Sequence, residues 1–137
     1  MSIKFDTETI RLMTLFETLT GVPVRDCLIE GDTAYFVVDE EKVGMAIGKN
    51  GATVKNVEDA INKSVKLFGF SNDLEKFVKN LIPKATNIKI NKNDKIVVEV
   101  SVEKSERAFV IGRDGKNLKI FKELLKRSHN VEDLIVR

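Results

Sequence analysis

A segment with two glycines occurs twice in this chain, and this repeat constrains the fold more than any other feature of the sequence. Residues 43–57 align with residues 107–121, 64 positions later, and both contain the pattern Ile-Gly-basic-x-Gly. In both copies the second glycine is followed, three and four positions later, by an apolar residue and a lysine. A chain of 137 residues can hold two small domains. The repeat therefore predicts two similar units, residues 1–70 and 71–137.

The segment that opens each half predicts an amphipathic helix. In the first half, residues 7–20 carry a predicted apolar face made of Ile10, Met13, Phe16 and Leu19. Residues 74–82 have the same character in the second half, and Asn72 and Glu75 predict a capping box at their start.

The remaining elements also come in the same order in both halves. Strand-like runs occupy residues 24–30, 33–38, 88–91 and 96–102. Each glycine segment is followed by a helical pattern and a closing apolar run, at residues 53–63, 65–70, 117–129 and 134–136. This order predicts an α+β fold with two units, each a three-stranded mixed sheet covered by helices. The join at residues 70–72 has no Gly/Ser or Pro run, so we expect the units to keep a nearly fixed relation.

The two Gly-x-x-Gly segments predict anion-binding loops. Glycine tolerates the positive φ of a tight turn between helices and lets another backbone approach closely. The following helix directs its first N–H groups and its positive dipole end at the turn, where anions are favoured. Lys49 and Arg113 add positive charge there. A phosphodiester backbone has the matching chemistry, whereas a purely structural turn would need neither basic residue.

Composition argues against several other kinds of site. Cys27 is the only cysteine and His129 the only histidine, so a disulfide framework, a Cys-rich zinc site and most hydrolytic centres are excluded. We expect Cys27 to be buried and His129 to lie at the surface. Neither glycine segment has the spacing of a P-loop or a dinucleotide fingerprint. We therefore expect no enzymatic activity, cofactor or metal.

Charge separates the two halves. Residues 1–70 hold 8 Lys/Arg and 11 Asp/Glu, a net −3, whereas residues 71–137 hold 15 and 10, a net +5. The basic second half favours a polyanionic partner. The apolar runs are too short to span a bilayer and the N-terminus lacks a signal core, so we expect a cytoplasmic monomer without membrane contact.

The two segments resemble the KH domain, whose core is Ile-Gly-x-x-Gly. The order of elements is similar to the type II, prokaryotic arrangement, and two such units in tandem resemble the NusA family in its short archaeal form. The resemblance implies single-stranded RNA binding, with about four nucleotides clamped at each loop. It also implies a role in transcription termination or antitermination, with RNA polymerase as a further partner. Catalytic, metal and cofactor residues are not implied.

The resemblance assigns RNA contacts to the loops and to lysines just after them. These residues are Gly48, Lys49, Asn50, Gly51 and Lys55 in the first half and Gly112, Arg113, Asp114, Gly115, Lys116 and Lys119 in the second. Asp114 places a negative charge in the second loop, which its basic neighbours can offset.

Several residues near the loops have two interpretations. Ile47 and Ile111 can line a groove for bases or belong to the core, and Phe109 can stack or pack, with core packing favoured for all three. The acidic run Asp39-Glu40-Glu41 either complements the next helix or indicates a first domain that binds RNA weakly or faces a protein. Two other functions remain open: a ribosome-associated or RNA-decay factor, and a protein adaptor whose first domain no longer binds RNA.

Overall fold

The computed structural model describes residues 6–137, in which the chain forms two compact units, the first ending at Ser71 and the second spanning Asn72–Arg137. Within the described residues, each unit has three α-helices and three strands in the predicted order. The predicted α+β class is confirmed, and each sheet is mixed. Among residues 6–137, none of the helices combines the length and the hydrophobicity of a membrane span.

The first unit is a three-stranded sheet with helices on it. Its elements are α1 (Thr7–Thr20), β1 (Asp26–Glu30), β2 (Thr33–Asp39), α2 (Val43–Ile47), α3 (Ala52–Ile61) and β3 (Ser64–Phe70). The strand order is β1-β2-β3, antiparallel between β1 and β2 and parallel between β2 and β3. The rings of Phe16 and Phe36 stack at 4.4 Å between centroids in the core, and Cys27 is buried as predicted.

The second unit repeats this topology. Its elements are α4 (Leu74–Leu81), β4 (Asn87–Lys92), β5 (Ile96–Ser101), α5 (Lys104–Ile111), α6 (Lys116–His129) and β6 (Val131–Val136). The order β4-β5-β6 is antiparallel and then parallel. His129 lies at the surface of this unit, with its ring 5.3 Å from that of Phe77 between centroids.

The predicted apolar face of α1 was wrong in part. Ile10 and Leu19 are 52% and 40% exposed, whereas Leu12 and Phe16 are buried together with Thr9 and Thr20. A series with strict three-residue spacing drifts around a helix of 3.6 residues per turn, and residues nine apart lie on opposite sides. The buried series has steps of three, four and four and stays on one face.

Two boundary predictions in the second unit also needed correction. The N-cap of α4 is Asp73 rather than Asn72, and its side chain makes no capping hydrogen bond, so the predicted capping box was wrong. β6 begins at Val131, three residues before the predicted apolar run. Its exposed Glu132 hid the alternation, and a register irregularity between Ile96 and Val97 accommodates the early start.

Candidate nucleic-acid interface

The two Gly-x-x-Gly segments adopt the same backbone conformation. The first glycines, Gly48 and Gly112, have φ/ψ of 78°/173° and 80°/167°. The second glycines, Gly51 and Gly115, have 76°/12° and 73°/17°. In both loops the N–H of the second glycine donates to the carbonyl oxygen of the first, at 3.2 Å and 3.1 Å. Two segments 64 residues apart thus form the same turn between two helices.

Helix packing holds each turn in place. Ala46 of α2 and Val57 of α3 are fully buried in the core on either side of the first loop. On the far side of the second loop, Ile120, Leu124 and Leu125 of α6 are buried. The first loop is thus anchored by apolar packing on both sides and the second on its α6 side, so both loops project from a packed helix.

The first glycine of each loop is required by space as well as by φ. A Cβ on Gly48 would lie 2.2 Å from Thr53 Oγ1, and a Cβ on Gly112 would lie 2.8 Å from Asn117 Cγ. The φ/ψ region that these glycines occupy is essentially restricted to glycine. The first glycine therefore packs the turn onto the helix that follows it.

The second glycine has a different role. Gly51 and Gly115 are the N-caps of α3 and α6, and a Cβ on either would meet nothing within 4 Å. The space where an N-cap side chain would begin is open at both loops, and glycine brings no side chain into it. A phosphate oxygen can approach the first N–H groups of the helix from this side.

The middle residues of the loops are exposed, and one of each pair is left-handed. Asn50 has φ 55° and Asp114 has φ 58°, a region that Asn and Asp tolerate better than most residues. Lys49 and Arg113, the residues before them, are exposed. Asp114 thus combines a conformation suited to its residue type with a charge that opposes phosphate binding.

The lysines after the loops differ in their surroundings. Lys55 lies 3.7 Å from Asp59 on the next turn of α3. Lys116 and Lys119 are exposed at the start of α6, and among residues 6–137 neither has an acidic partner within ion-pair distance. The second loop therefore has more uncompensated positive charge than the first.

The apolar residues before the loops are more exposed than predicted. Ile47 is 39% exposed, Ile111 is half-buried, and Phe109, predicted to pack in the core, is 78% exposed. Met45, which aligns with Phe109 in the repeat, is 54% exposed. Sequence reasoning missed Met45, although this alignment could have indicated it.

The acidic run before α2 forms a short 3₁₀ turn, Glu40–Lys42. Asp39 is its N-cap without a side-chain capping hydrogen bond, because its carboxylate accepts from Arg25 Nε. The Arg25 guanidinium lies 4.3 Å from the centre of the Phe70 ring. Asp39 thus belongs to a local structural cluster rather than to the loop.

Comparison with known proteins identifies the relatives of the chain. A family model of the KH domain matches residues 11–72. The probable transcription termination protein NusA of Halococcus morrhuae is 31% identical over 136 residues, 98% of each chain. The protein of the same name from Methanococcus vannielii is 36% identical over 140 residues, covering 99% of this chain and 80% of that protein. The crystal structure of APE1850 superposes with a TM-score of 0.79 at 30% identity, over 97% of this chain and all of that one.

Proposed function

We propose that this chain, which belongs to the archaeal NusA family, is a single-stranded RNA-binding transcription termination factor with two tandem type II KH domains. The observation that carries the proposal is the conformational identity of its two Gly-x-x-Gly loops, whose dihedrals differ by 6° or less. Such agreement between two copies with different middle residues is expected if both are built to take the same ligand.

Each loop would bind the RNA backbone. The open space before Gly51 and Gly115 admits a phosphate to the N-terminus of α3 or α6. Lys49 and Arg113 are exposed beside it and neutralise its charge. Bases would then lie in the groove between the helices and the sheet edge. This is binding chemistry, and the protein needs no nucleophile or general base for it.

The second domain would supply most of the affinity. It carries the net charge of +5, and within residues 6–137 Lys116 and Lys119 have no acidic partner, whereas Lys55 faces Asp59. The first domain would add a weaker contact. Because both loops are on one chain, engagement of one RNA strand by both raises the effective affinity. RNA polymerase would be the protein partner in termination.

The test is RNA binding measured by fluorescence anisotropy at two salt concentrations. Lys49→Glu, Arg113→Glu and the double variant reverse one charge in each loop while leaving all four loop glycines in place. We expect each single variant to weaken binding, by roughly tenfold for Arg113→Glu and less for Lys49→Glu, and the double variant to lose binding at moderate salt.

Matched controls place the same charge change away from the loops. Lys92, at the end of β4, pairs with Ile96, which pairs with Val131 just after α6 ends. Lys92 therefore lies near the C-terminal end of α6, about 20 Å from the loop at its N-terminal end. Lys92→Glu should have a small effect. Equal losses of RNA affinity for Lys92→Glu and Arg113→Glu would mean that the RNA is attracted by the overall positive charge and not bound at the loop. Wild-type protein that binds no RNA at low salt would refute the proposal.

The transcriptional role needs its own assay. Adding the protein to archaeal RNA polymerase transcribing across a terminator should change the fraction of terminated transcripts, and the loop double variant should not. Recovery of ribosomal subunits instead of polymerase in a pull-down would favour a ribosome-associated factor.

A further inference from the structure

Phe109 is the most exposed large apolar side chain in the described part of the molecule. It is 78% exposed, against 54% for Met45 and 52% for Ile10. A phenylalanine ring has no polar atom to satisfy in water and gains free energy when another surface covers it. Nothing in the packing of its own unit uses this ring.

The backbone of Phe109 is tied to the loop. It lies in the last turn of α5, three residues before Gly112, about 4.5 Å along the helix axis. Asn117 Nδ2 donates to the carbonyl oxygen of Phe109 at 3.0 Å. The same amide group packs against Gly112, where it occupies the space that a Cβ would need. One side chain thus joins the helix before the loop, the first glycine and the start of α6, and this gives the ring a defined place beside the loop.

The charges around the ring indicate what kind of partner would cover it. Arg107, Arg113 and Lys116 are exposed within a few residues of Phe109 and outnumber the one acid of that span, Asp114, and the whole unit is basic. An apolar protein surface would have to desolvate these cations, whereas a nucleic acid offers a flat apolar base beside a phosphate. Unpaired bases of single-stranded RNA stack on such exposed rings.

We infer that Phe109 is a base-stacking platform, which receives the base of a nucleotide whose phosphate is bound at the Gly112–Gly115 loop. This inference rests on the proposed function and adds to it a base contact that distinguishes the two domains. Stacking is tolerant of sequence because every base has a flat face, and purines present a larger one than pyrimidines.

The first domain lacks this platform. Met45 occupies the aligned position, and its terminal methyl lies 3.5 Å from the place that a Cβ on Gly21 would take. The Met45 side chain thus lies near the C-terminal end of α1, and a thioether offers no aromatic ring on which a base could stack. The first domain therefore has no aromatic stack at this position, and the second domain combines a phosphate contact with one.

The first experiment compares Phe109→Ala and Phe109→Leu with wild type in RNA binding, with Met45→Ala as the matched control. We expect Phe109→Ala to weaken binding by roughly 5-fold or more, the range of one base–aromatic stack, and Met45→Ala to change it less than 2-fold. Phe109→Leu keeps apolar area without a ring and should recover only part of the loss. Because the side chain is exposed, these variants should fold normally.

RNA with single abasic positions separates stacking from general surface effects. On an oligonucleotide that lacks the stacked base but keeps its phosphate, Phe109→Ala should bind as well as wild type, while Arg113→Glu still weakens binding. A Phe109→Ala penalty that persists at every abasic position would overturn the inference.

A tryptophan reporter gives a second readout, since the chain contains no tryptophan. Fluorescence of Phe109→Trp should be quenched on saturation with RNA, and fluorescence of Met45→Trp should change little. If wild type binds RNA and responds to Arg113→Glu, but Phe109→Ala binds normally and Phe109→Trp is not quenched, the inference fails while the proposed function stands. If wild type does not bind RNA, both fail.

Discussion

Gly48 packs directly against Thr53: a Cβ on this glycine would lie 2.2 Å from the threonine hydroxyl oxygen and 2.8 Å from its backbone nitrogen. Gly112 and Asn117 have the same relationship in the second unit, with the nearest atom at 2.8 Å. Gly51 and Gly115 face open space instead. The two glycines of each motif therefore have separable roles, because the first lets the turn close and the second leaves the helix N-terminus accessible.

Substitution of the first glycine should affect folding more than substitution of the second. We expect Gly48→Ala to lower the free energy of unfolding by about 3 kcal/mol, because alanine adds both a steric clash and an unfavourable φ/ψ. Gly51→Ala adds only left-handed strain and should cost about 1 kcal/mol. Urea unfolding followed by circular dichroism measures the difference. Equal losses for the two variants would mean that the contact with Thr53 relaxes freely.

Exchange of the middle loop residues should shift RNA affinity between the domains. Asp114→Asn removes a negative charge from the second loop and should tighten binding by roughly 3-fold at low salt. Asn50→Asp adds one to the first loop and should weaken binding. Both residues tolerate the left-handed φ of 55° to 58°, so stability should change little. Anisotropy titrations check the result, and identical affinities for Asp114→Asn and wild type would place this loop away from phosphate.

The lysines after the loops should contribute unequally to salt dependence. Lys119→Ala should reduce the slope of log K against log salt by about 1, the effect of one phosphate contact. Lys55→Ala should reduce it less, because Asp59 lies 3.7 Å from the Lys55 ammonium group. Asp59→Asn should then increase the contribution of Lys55. If Lys55→Ala and Lys119→Ala change the slope equally, this exposed ion pair has no influence on binding.

The N-cap of α1 should make stability depend on pH at the acidic end. The Thr9 backbone N–H donates to Asp6 Oδ1 at 2.7 Å, and this bond holds the pKa of Asp6 below its ordinary value of 3.8. The ionised form is favoured by folding, so its contribution is complete above pH 3.8 and disappears as the pH falls through the lower folded pKa. Asp6→Ala should be less stable than wild type at neutral pH, and the difference should shrink in acid.

Asp6→Asn provides the control for this effect. Asparagine caps a helix nearly as well as aspartate and does not titrate in this range. Its stability relative to Asp6→Ala should therefore be independent of pH between 2 and 7. Thermal unfolding of the three proteins across this range measures the effect, and a wild-type difference that stays constant in acid would contradict the assignment.

The order of helices and strands could be predicted from the sequence, because each pattern involves only a few neighbouring residues and occurs in both halves. Glycine favours turns and helix ends through its own backbone, and Gly31 and Gly21 mark one of each here. The alternation of apolar residues such as Val98 and Val100 follows from a strand with one buried face. Agreement between two halves then confirmed each weak pattern. The buried face of α1 could not be predicted in this way, because Ile10 and Leu19 are as apolar as the buried Leu12 and more apolar than the buried Thr9 and Thr20.

The candidate site divides in the same manner. The two loops, their basic residues and the order of elements around them could be predicted from the chain, since glycine and charge act within a few residues. Which apolar side chains are covered depends on how the helices pack on the sheet. Phe109 looks like a core residue in the chain, yet α5 directs it into solvent beside the loop, and no local pattern records which side of a helix the rest of the unit covers.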